Sequence, residues 1–452
     1  MYAIRFLCPT HGETFKAPDK DDLLFFEKIE SEYLSVAGQI LAPDQPIRDG
    51  WKTRDLLTRH YKCWRDLFNP RQLLALDSLL REILAIEDKA VQECFLTLFS
   101  SCLEFNNTFC SYKGGNLRRP GAVRHIFSHH AFVYPYEALE NNPWGARHLS
   151  GTFSHLYHAR LLRAKSYALN SLERKVADRK VAKIISIPHE RIRGKLSQSF
   201  SELISLDKNA LLLCQSSEEL PLPPSSVDAV ITDPPYFDNV QYAELSDFFY
   251  VWLRLGLKDH YQEFSSFSVE RKSEIVKNPN QGKTAQFYRD GLRRVFCECH
   301  RVLKKDGPLI FTFHHKSTEA WSTVLSAVLD SGFYISATYP IHSEMPLSVH
   351  IHNQKSPSYD AILVCRKQVS SPPIRNWKKL KQQIVKRALK TIDLLRRDNG
   401  KLSDVDTFVV VLGKCLETYS RHYPNIRWLN GPMSVDDALS EMEAIVRSLV
   451  TD

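Results

Sequence analysis

Apolar residues recur at helical spacing from Leu23 to Leu103, with breaks at Pro43, Pro46 and Gly50. Ahead of them, Met1 to about Asp22 reads as a short β-hairpin. Asn106 to Phe153 is less regular and rich in polar, glycine and aromatic residues, and a helical stretch then runs to about Val181. The period next shortens. Ala210 to Cys214 and Val227 to Thr232 read as buried strands, and Tyr242 to Leu253 as an amphipathic helix with Leu245, Phe248, Phe249, Trp252 and Leu253 on its core face. Gln286 to Leu303 is a further helix, Pro308 to Phe313 a strand and Glu319 to Asp330 a helix. Phe333 to Tyr339 and Tyr359 to Arg366 close the series as two strands with no obvious helix between them. Ser370-Ser371-Pro372-Pro373 marks a linker, and Trp377 to Asp452 looks all-helical. The expected organisation is a hairpin at 1–22, a helical region at 23–105, a basic loop and helix region at 106–200, an α/β core at 201–368 and a helical domain at 369–452.

Composition narrows the class without naming a function. A chain of 452 residues holds two or three domains, and its hydrophobic and charged fractions are those of a soluble globular protein. No stretch approaches the roughly 20 apolar residues of a membrane span, and Met1-Tyr2-Ala3-Ile4-Arg5 lacks the core of a signal peptide. Ten scattered cysteines suggest a reducing compartment, so a cytoplasmic location without membrane partners is expected. The formal charge is +8, unevenly spread. His155 to Lys195 carries eleven Lys or Arg against three acidic residues, and a second basic run goes from Arg366 to Lys401. Each reads as a phosphate-tracking face or as a solvated helical surface.

The chemistry concentrates in Asp233-Pro234-Pro235-Tyr236, at the end of the strand that runs to Thr232. Methyltransferases that act on planar exocyclic amines place such a tetrapeptide after a strand. The lone pair of such an amine is delocalised into the ring, so the amine is a poor nucleophile. An enzyme must accept hydrogen bonds from the amine hydrogens while the nitrogen pyramidalises. The Asp233 carboxylate supplies one acceptor and the Pro234 carbonyl a second. The prolines stiffen the turn, each with a fixed φ and no donor. Tyr236 is then able to lie against a base held outside its stack, with Phe237 closing the other side. Asp238, Asn239 and Tyr242, just beyond the turn, orient the sugar or the Asp233 side chain, or else cap a helix.

Other positions carry weaker signals. Asn69 reads as an N-cap and Pro70 as the first residue of a helix. Asn69, Arg71 and Gln72 either face a cofactor or DNA pocket or simply cap that helix well. Lys113, Arg118 and Arg119 lie in a basic, glycine-rich loop suited to the phosphates flanking a flipped base. Cys8-Pro9-Thr10-His11 resembles one knuckle of a zinc site, but no second Cys/His pair follows at the usual spacing, so a tight turn and no metal are expected.

A methyl donor site needs a glycine-rich turn after its first strand and an acidic residue ending the second, as dinucleotide folds do. No such strand and turn is found. The expected fold is therefore α/β, a partial Rossmann-like sheet of the S-adenosylmethionine-dependent methyltransferases without its first two strands, flanked by N-terminal and C-terminal helical regions.

The chain resembles the C-terminal half of the large adenine-specific DNA methylases that contain a zinc ribbon. The resemblance rests on Thr53 to Leu57, Trp64 to Leu76, Thr232 to Val240 with Tyr242 to Leu253, His315 to Trp321, and Ser434 to Leu439. In that family the donor motif and the zinc ribbon lie upstream of the part matched here. The resemblance implies a split enzyme: this chain carries the catalytic turn, and a second protein chain carries the glycine-rich donor motif. It further implies DNA as substrate, adenine N6 as the methylated atom, S-adenosylmethionine as donor and a setting in restriction-modification or phage defence. The Asp-Pro-Pro-Tyr turn also suits an RNA amino-methyltransferase, and a non-catalytic DNA-recognition subunit is a further alternative.

Overall fold

The computed structural model of the chain describes residues 2–114, 121–145, 149–177, 180–186, 191–205, 207–342, 359–399, 404–429 and 431–450. They form two compact units, Met1–Gly194 with Tyr242–Lys272, and Lys195–Gln241 with Ser273–Asp452. Both units mix helices with small sheets. Among the described residues no helix is long and apolar enough to cross a membrane.

The first unit opens with the hairpin Ile4–Cys8 and Gly12–Lys16, paired antiparallel, with Gly12 in the left-handed region at φ 72°. Among the helices that follow, Lys20–Val36, Pro70–Leu84 and Lys89–Leu103 are each opened by a side-chain cap, from Asp19, Asn69 and Asp88. The helix Tyr242–Leu257 returns to this unit and fills its aromatic core. Phe248 stacks on Phe68 at 5.8 Å between ring centroids, and Trp252 meets Phe68 at 5.2 Å and Phe99 at 5.7 Å. The expected apolar face of this helix is present at Leu245, Phe248 and Trp252, all buried.

Two carboxylates on the same helix are also fully buried, Glu244 and Asp247. Glu244 accepts the backbone N–H groups of Trp51 at 3.1 Å and Lys52 at 2.6 Å. Gly50 permits this approach, because a Cβ there would lie 2.4 Å from the Glu244 carboxyl carbon. Asp247 pairs with Arg48 at 2.9 Å and Arg271 at 2.8 Å, and accepts the Val269 N–H at 2.7 Å. Helix-period reasoning assigns charged residues to solvent. These two are inside because loop amides and guanidinium groups satisfy them there.

The second unit is organised by a four-stranded sheet in the order Phe333–His342, Tyr359–Lys367, Leu309–Phe313, Val230–Thr232. The last two strands are parallel, with Leu309 opposite Val230 and Phe311 opposite Thr232. The other neighbours pair antiparallel. Helices Ala285–Val302 and Thr318–Asp330 pack on each other, and Asp404–His422 packs on the two antiparallel strands. Leu309, Phe311 and Phe313 enter the common core with Trp321, Phe296 and Tyr288, while Ile310 and Thr312 point to the other face.

Three sequence expectations need correction. The helix expected through Val181 ends at Leu169, and Leu172–Ala177 and Lys180–Ser186 pair as a hairpin. β-branched Val176, Val181, Ile184 and Ile185 favour extended backbone once a partner strand is at hand. The strand expected over Ala210 to Cys214 is limited to Ala210–Leu211 by the two-residue length of its parallel partner, Leu196–Ser197. The C-terminal region is not all helix: Arg375–Asn376, Ile426–Trp428 and Gly431–Pro432 form a small three-stranded sheet between helices.

Replacing Asp247 by Ala would remove the fully buried carboxylate that pairs with Arg48 and Arg271, the latter with its side chain 9% exposed. Loss of one partner of a buried pair costs about 3–5 kcal/mol. We expect Asp247→Ala to lower the urea midpoint of the first unit accordingly, followed by the fluorescence of its buried Trp64 and Trp252. A loss below about 1 kcal/mol would place the pair among surface salt bridges in energetic terms.

Candidate active site

Asp233 leaves the carboxyl end of the strand Val230–Thr232 and is exposed, whereas Pro234 behind it is buried. Its orientation is set from the neighbouring strand. Thr312 Oγ1 donates to Asp233 Oδ1 at 2.5 Å, and Tyr236 Oη donates to Thr312 Oγ1 at 2.8 Å. Strand alternation makes this possible, because Thr312 lies on the face opposite Phe311 and Phe313. The relay ties the acid and the aromatic ring of the turn to one hydroxyl. The Tyr236 ring also lies edgewise to Phe313 at 5.5 Å and His314 at 5.0 Å. Burial pushes the Tyr236 phenol well above its ordinary pKa, with Asp360 and Asp233 adding to the effect of burial, so it stays protonated and donates.

The backbone at the end of the turn is engaged. The Pro235 carbonyl accepts Tyr288 Oη at 2.6 Å, the Tyr236 carbonyl accepts the Asn239 N–H at 3.0 Å, and the Phe237 carbonyl accepts the Lys277 N–H at 2.9 Å. The Pro234 carbonyl takes no hydrogen bond among the described residues. The Asp233 carbonyl likewise takes none among the described residues, and the Asp233 carboxylate beside it is exposed. Phe237 sits at φ 56°, a conformation that costs a side-chain-bearing residue roughly 1–2 kcal/mol. Its ring is 1% exposed, wedged against Tyr288 at 5.2 Å and His315 at 5.5 Å, with the Lys277 ammonium 4.7 Å from its centroid. Phe237 is therefore a core anchor that holds the turn from below, rather than a surface ring closing over a base.

Asp238 faces His315, with its Oδ1 3.0 Å from Nε2, while the Ser317 N–H donates to the other ring nitrogen at 3.0 Å. A neutral imidazole with its proton on Nε2 satisfies both contacts. Asn239 is exposed. Gln241 and Asn278, both fully buried, bond to each other at 2.8 Å, and Gln241 reaches the Lys277 carbonyl at 3.2 Å. Sequence reasoning missed Thr312, Tyr288, His315 and Lys277 as parts of this site. Only the polar threonine inside the apolar run Leu309 to Phe313 offered a signal.

The remaining sequence candidates belong to the first unit. Tyr242 begins the helix Tyr242–Leu257 and is 45% exposed. Lys113 is exposed on the hairpin Ser111–Lys113 and Ala122–Arg124, and Arg118 and Arg119 lie outside the described residues. Asn69 and Gln72 form a reciprocal capping box, at 2.9 Å and 3.1 Å. Arg71 pairs with Glu30 at 2.8 Å and Glu140 at 2.7 Å, and lies 3.6 Å from the Phe26 ring centroid. Asn69 and Arg71 are engaged in capping and ion pairing, and Gln72 uses its Oε1 and backbone N–H in the cap while its Nε2 is buried without a hydrogen bond among the described residues. Cys8 Sγ lies 3.4 Å from His11 Nδ1 at the hairpin turn, and no third ligating side chain joins them among the described residues. Among the described residues, no strand of the three parallel pairs is followed by a glycine-rich turn. They do not fit S-adenosylmethionine as a complete cradle.

Burial holds the His315 imidazole below its ordinary value near 6.5, against the opposing pull of Asp238. The unfolded chain therefore binds a proton more readily than the fold does below about pH 6.5. The stability contributed by neutral His315 is complete above that pH and is lost as pH falls towards the folded value. Thermal melts between pH 7.5 and 5.5 should show a smaller acid-induced drop in His315→Gln than in the wild type. Equal drops would remove His315 from the acid response.

No curated protein matches the chain. Residues 227–424, which begin just before the strand that leads to the Asp233 turn and include the whole four-stranded sheet, match the family model described as DNA methylase.

Proposed function

We propose that this chain is the catalytic part of a DNA amino-methyltransferase that methylates adenine N6, with the donor-binding loop supplied by a second chain. The observation that supports the reading is the pairing of two acceptors at the turn, an exposed Asp233 carboxylate oriented by Thr312 and a Pro234 carbonyl that accepts no hydrogen bond among the described residues. This pair sits at the carboxyl end of a parallel strand, where ligands of open α/β sheets bind. We read the four-stranded sheet as the later half of a methyltransferase sheet. S-adenosylmethionine would supply an electrophilic methyl group, and its binding is assigned to the second chain because the described residues form no cradle for it.

The residues of this chain act on the base. A target adenine is extruded from the duplex at a cost of a few kcal/mol. Its two amine hydrogens donate to Asp233 and to the Pro234 carbonyl, which draws the nitrogen lone pair out of the ring. As the nitrogen takes the methyl group it loses one proton, and Asp233 is the nearest acceptor. Tyr236, tethered through its hydroxyl, offers its exposed side to the base. Placed acceptors of this kind need no reorganisation at the moment of reaction. The DNA methylase match supports DNA over RNA as the substrate.

Labelled-methyl incorporation into duplex DNA, with the donor-binding chain present, tests the reading. Asp233→Ala should lose activity by about 100-fold or more while still binding DNA. Nuclease digestion of the product should yield N6-methyladenine; N4-methylcytosine would correct the base, and wild-type activity in the variant would sink the acceptor assignment. Thr312 provides a separate check. Thr312→Val removes both hydroxyl contacts at constant shape, so kcat should fall by roughly 10-fold or more with KM little changed, and Thr312→Ser should restore most of it. An unaltered kcat in Thr312→Val would show that the relay does not orient Asp233 for reaction.

A further inference from the structure

Helices Trp377–Asn399 and Asp404–His422 leave a hollow of about 380 Å³ in the second unit, lined by Gln383, Lys386, Arg387, Thr418, Arg421 and His422. Three permanent cations face one space. Among the described residues no carboxylate is in that lining; Glu417 lies beside it, its Oε2 3.9 Å from Arg387. That charge is already met: Glu417 Oε1 pairs with Lys414 at 2.5 Å and accepts the Thr338 N–H and hydroxyl at 2.6 and 2.7 Å. The hollow therefore keeps an excess of positive charge.

Its donors are also partly set in place. The Arg421 guanidinium lies 5.3 Å from the Tyr334 ring centroid and donates to the Ser336 carbonyl at 3.3 Å. Gln383 and Lys386 have no side-chain partner among the described residues, and His422 Nδ1 is buried without a hydrogen bond there. A carboxylate would use two or three of these donors. A tetrahedral oxyanion with several acceptor oxygens uses more of them, and arginine and lysine together are the usual partners of phosphate.

We propose that this hollow binds a phosphate group, and that in the working protein the group is a phosphodiester of the DNA backbone. The DNA source rests on the DNA-methylating reading of the chain; the phosphate chemistry does not. The hollow lies within residues 227–424, so the matched domain would carry a backbone grip in addition to the base-facing turn. Such a contact fixes register on the duplex and carries no sequence information.

The test compares Lys386→Gln/Arg387→Gln with Lys378→Gln/Lys379→Gln, which removes the same charge from exposed positions of the same helix outside the hollow. Duplex DNA binding is measured by anisotropy from 50 to 200 mM KCl. Each lost phosphate contact lowers the slope of log K against log salt by about 0.9. The hollow variant should lose about one to two in slope and bind several unrelated sequences equally more weakly, and the control should lose clearly less. Identical behaviour of the two variants overturns the DNA grip. Calorimetric titration with inorganic phosphate separates the sources. Saturable uptake that the hollow variant abolishes, with DNA binding unaltered, reassigns the site to a free phosphate. A wild-type chain that takes phosphate in the hollow but binds no DNA keeps the site and sinks the DNA reading. No phosphate uptake and no difference in DNA binding sinks the site and leaves that reading standing. Unchanged thermal melts of both variants establish that the fold is intact.

Discussion

The site depends on one register: the parallel pairing that sets Phe311 opposite Thr232. The next residue on each strand is then Thr312 on one and Asp233 on the other, and their side chains meet through a hydroxyl. A slip of one residue would turn Thr312 into the core and bring Phe313 to the turn, because side chains alternate faces at every step. The core prevents that slip. Leu309, Phe311 and Phe313 are each 1% exposed or less, and the antiparallel partner Ala361 to Cys365 holds the same strand from its other side. Hydrophobic burial several residues away thus fixes where a carboxylate oxygen points.

The turn itself is held by a different balance. Phe237 accepts an unfavourable left-handed backbone and returns its ring to the core, where Tyr288 and His315 pack on it. Tyr288 serves twice, as a packing surface for Phe237 and as the donor to the Pro235 carbonyl. Every polar atom engaged from below leaves fewer free above. What remains at the surface is the exposed Asp233 carboxylate, held by a rigid frame.

Carboxylates are used in opposite ways in the two units. Asp233 stays exposed, with one oxygen tied, whereas Glu244 and Asp247 are wholly buried and saturated by loop amides and arginines. All three fall within a stretch of fifteen residues of the sequence. Their composition alone does not separate the roles. The partners of Glu244 and Asp247 come from two distant segments, Arg48 to Lys52 and Val269 to Arg271.

Local chemistry in the chain determined a good deal. Alternation marked the strands at 308–313, 333–339 and 359–366, helical period marked the helices near 242–253 and 286–303, and Asn69 with Pro70 marked a helix start. Each of these signals acts within a few residues, so a single sequence displays it. The Asp233-Pro234-Pro235-Tyr236 turn was legible for the same reason, since a strand followed by two prolines allows few conformations. Contacts between distant segments were not legible. That Thr312 orients Asp233 across 79 residues, that Phe237 points inward, that Asp247 is inside and that Leu172–Ala177 finds a partner strand were decided by tertiary structure alone. In each case the decision rests on which partner the fold brings within about 3 Å of a hydrogen-bonding group or into contact with an apolar ring, and local sequence does not encode that distance.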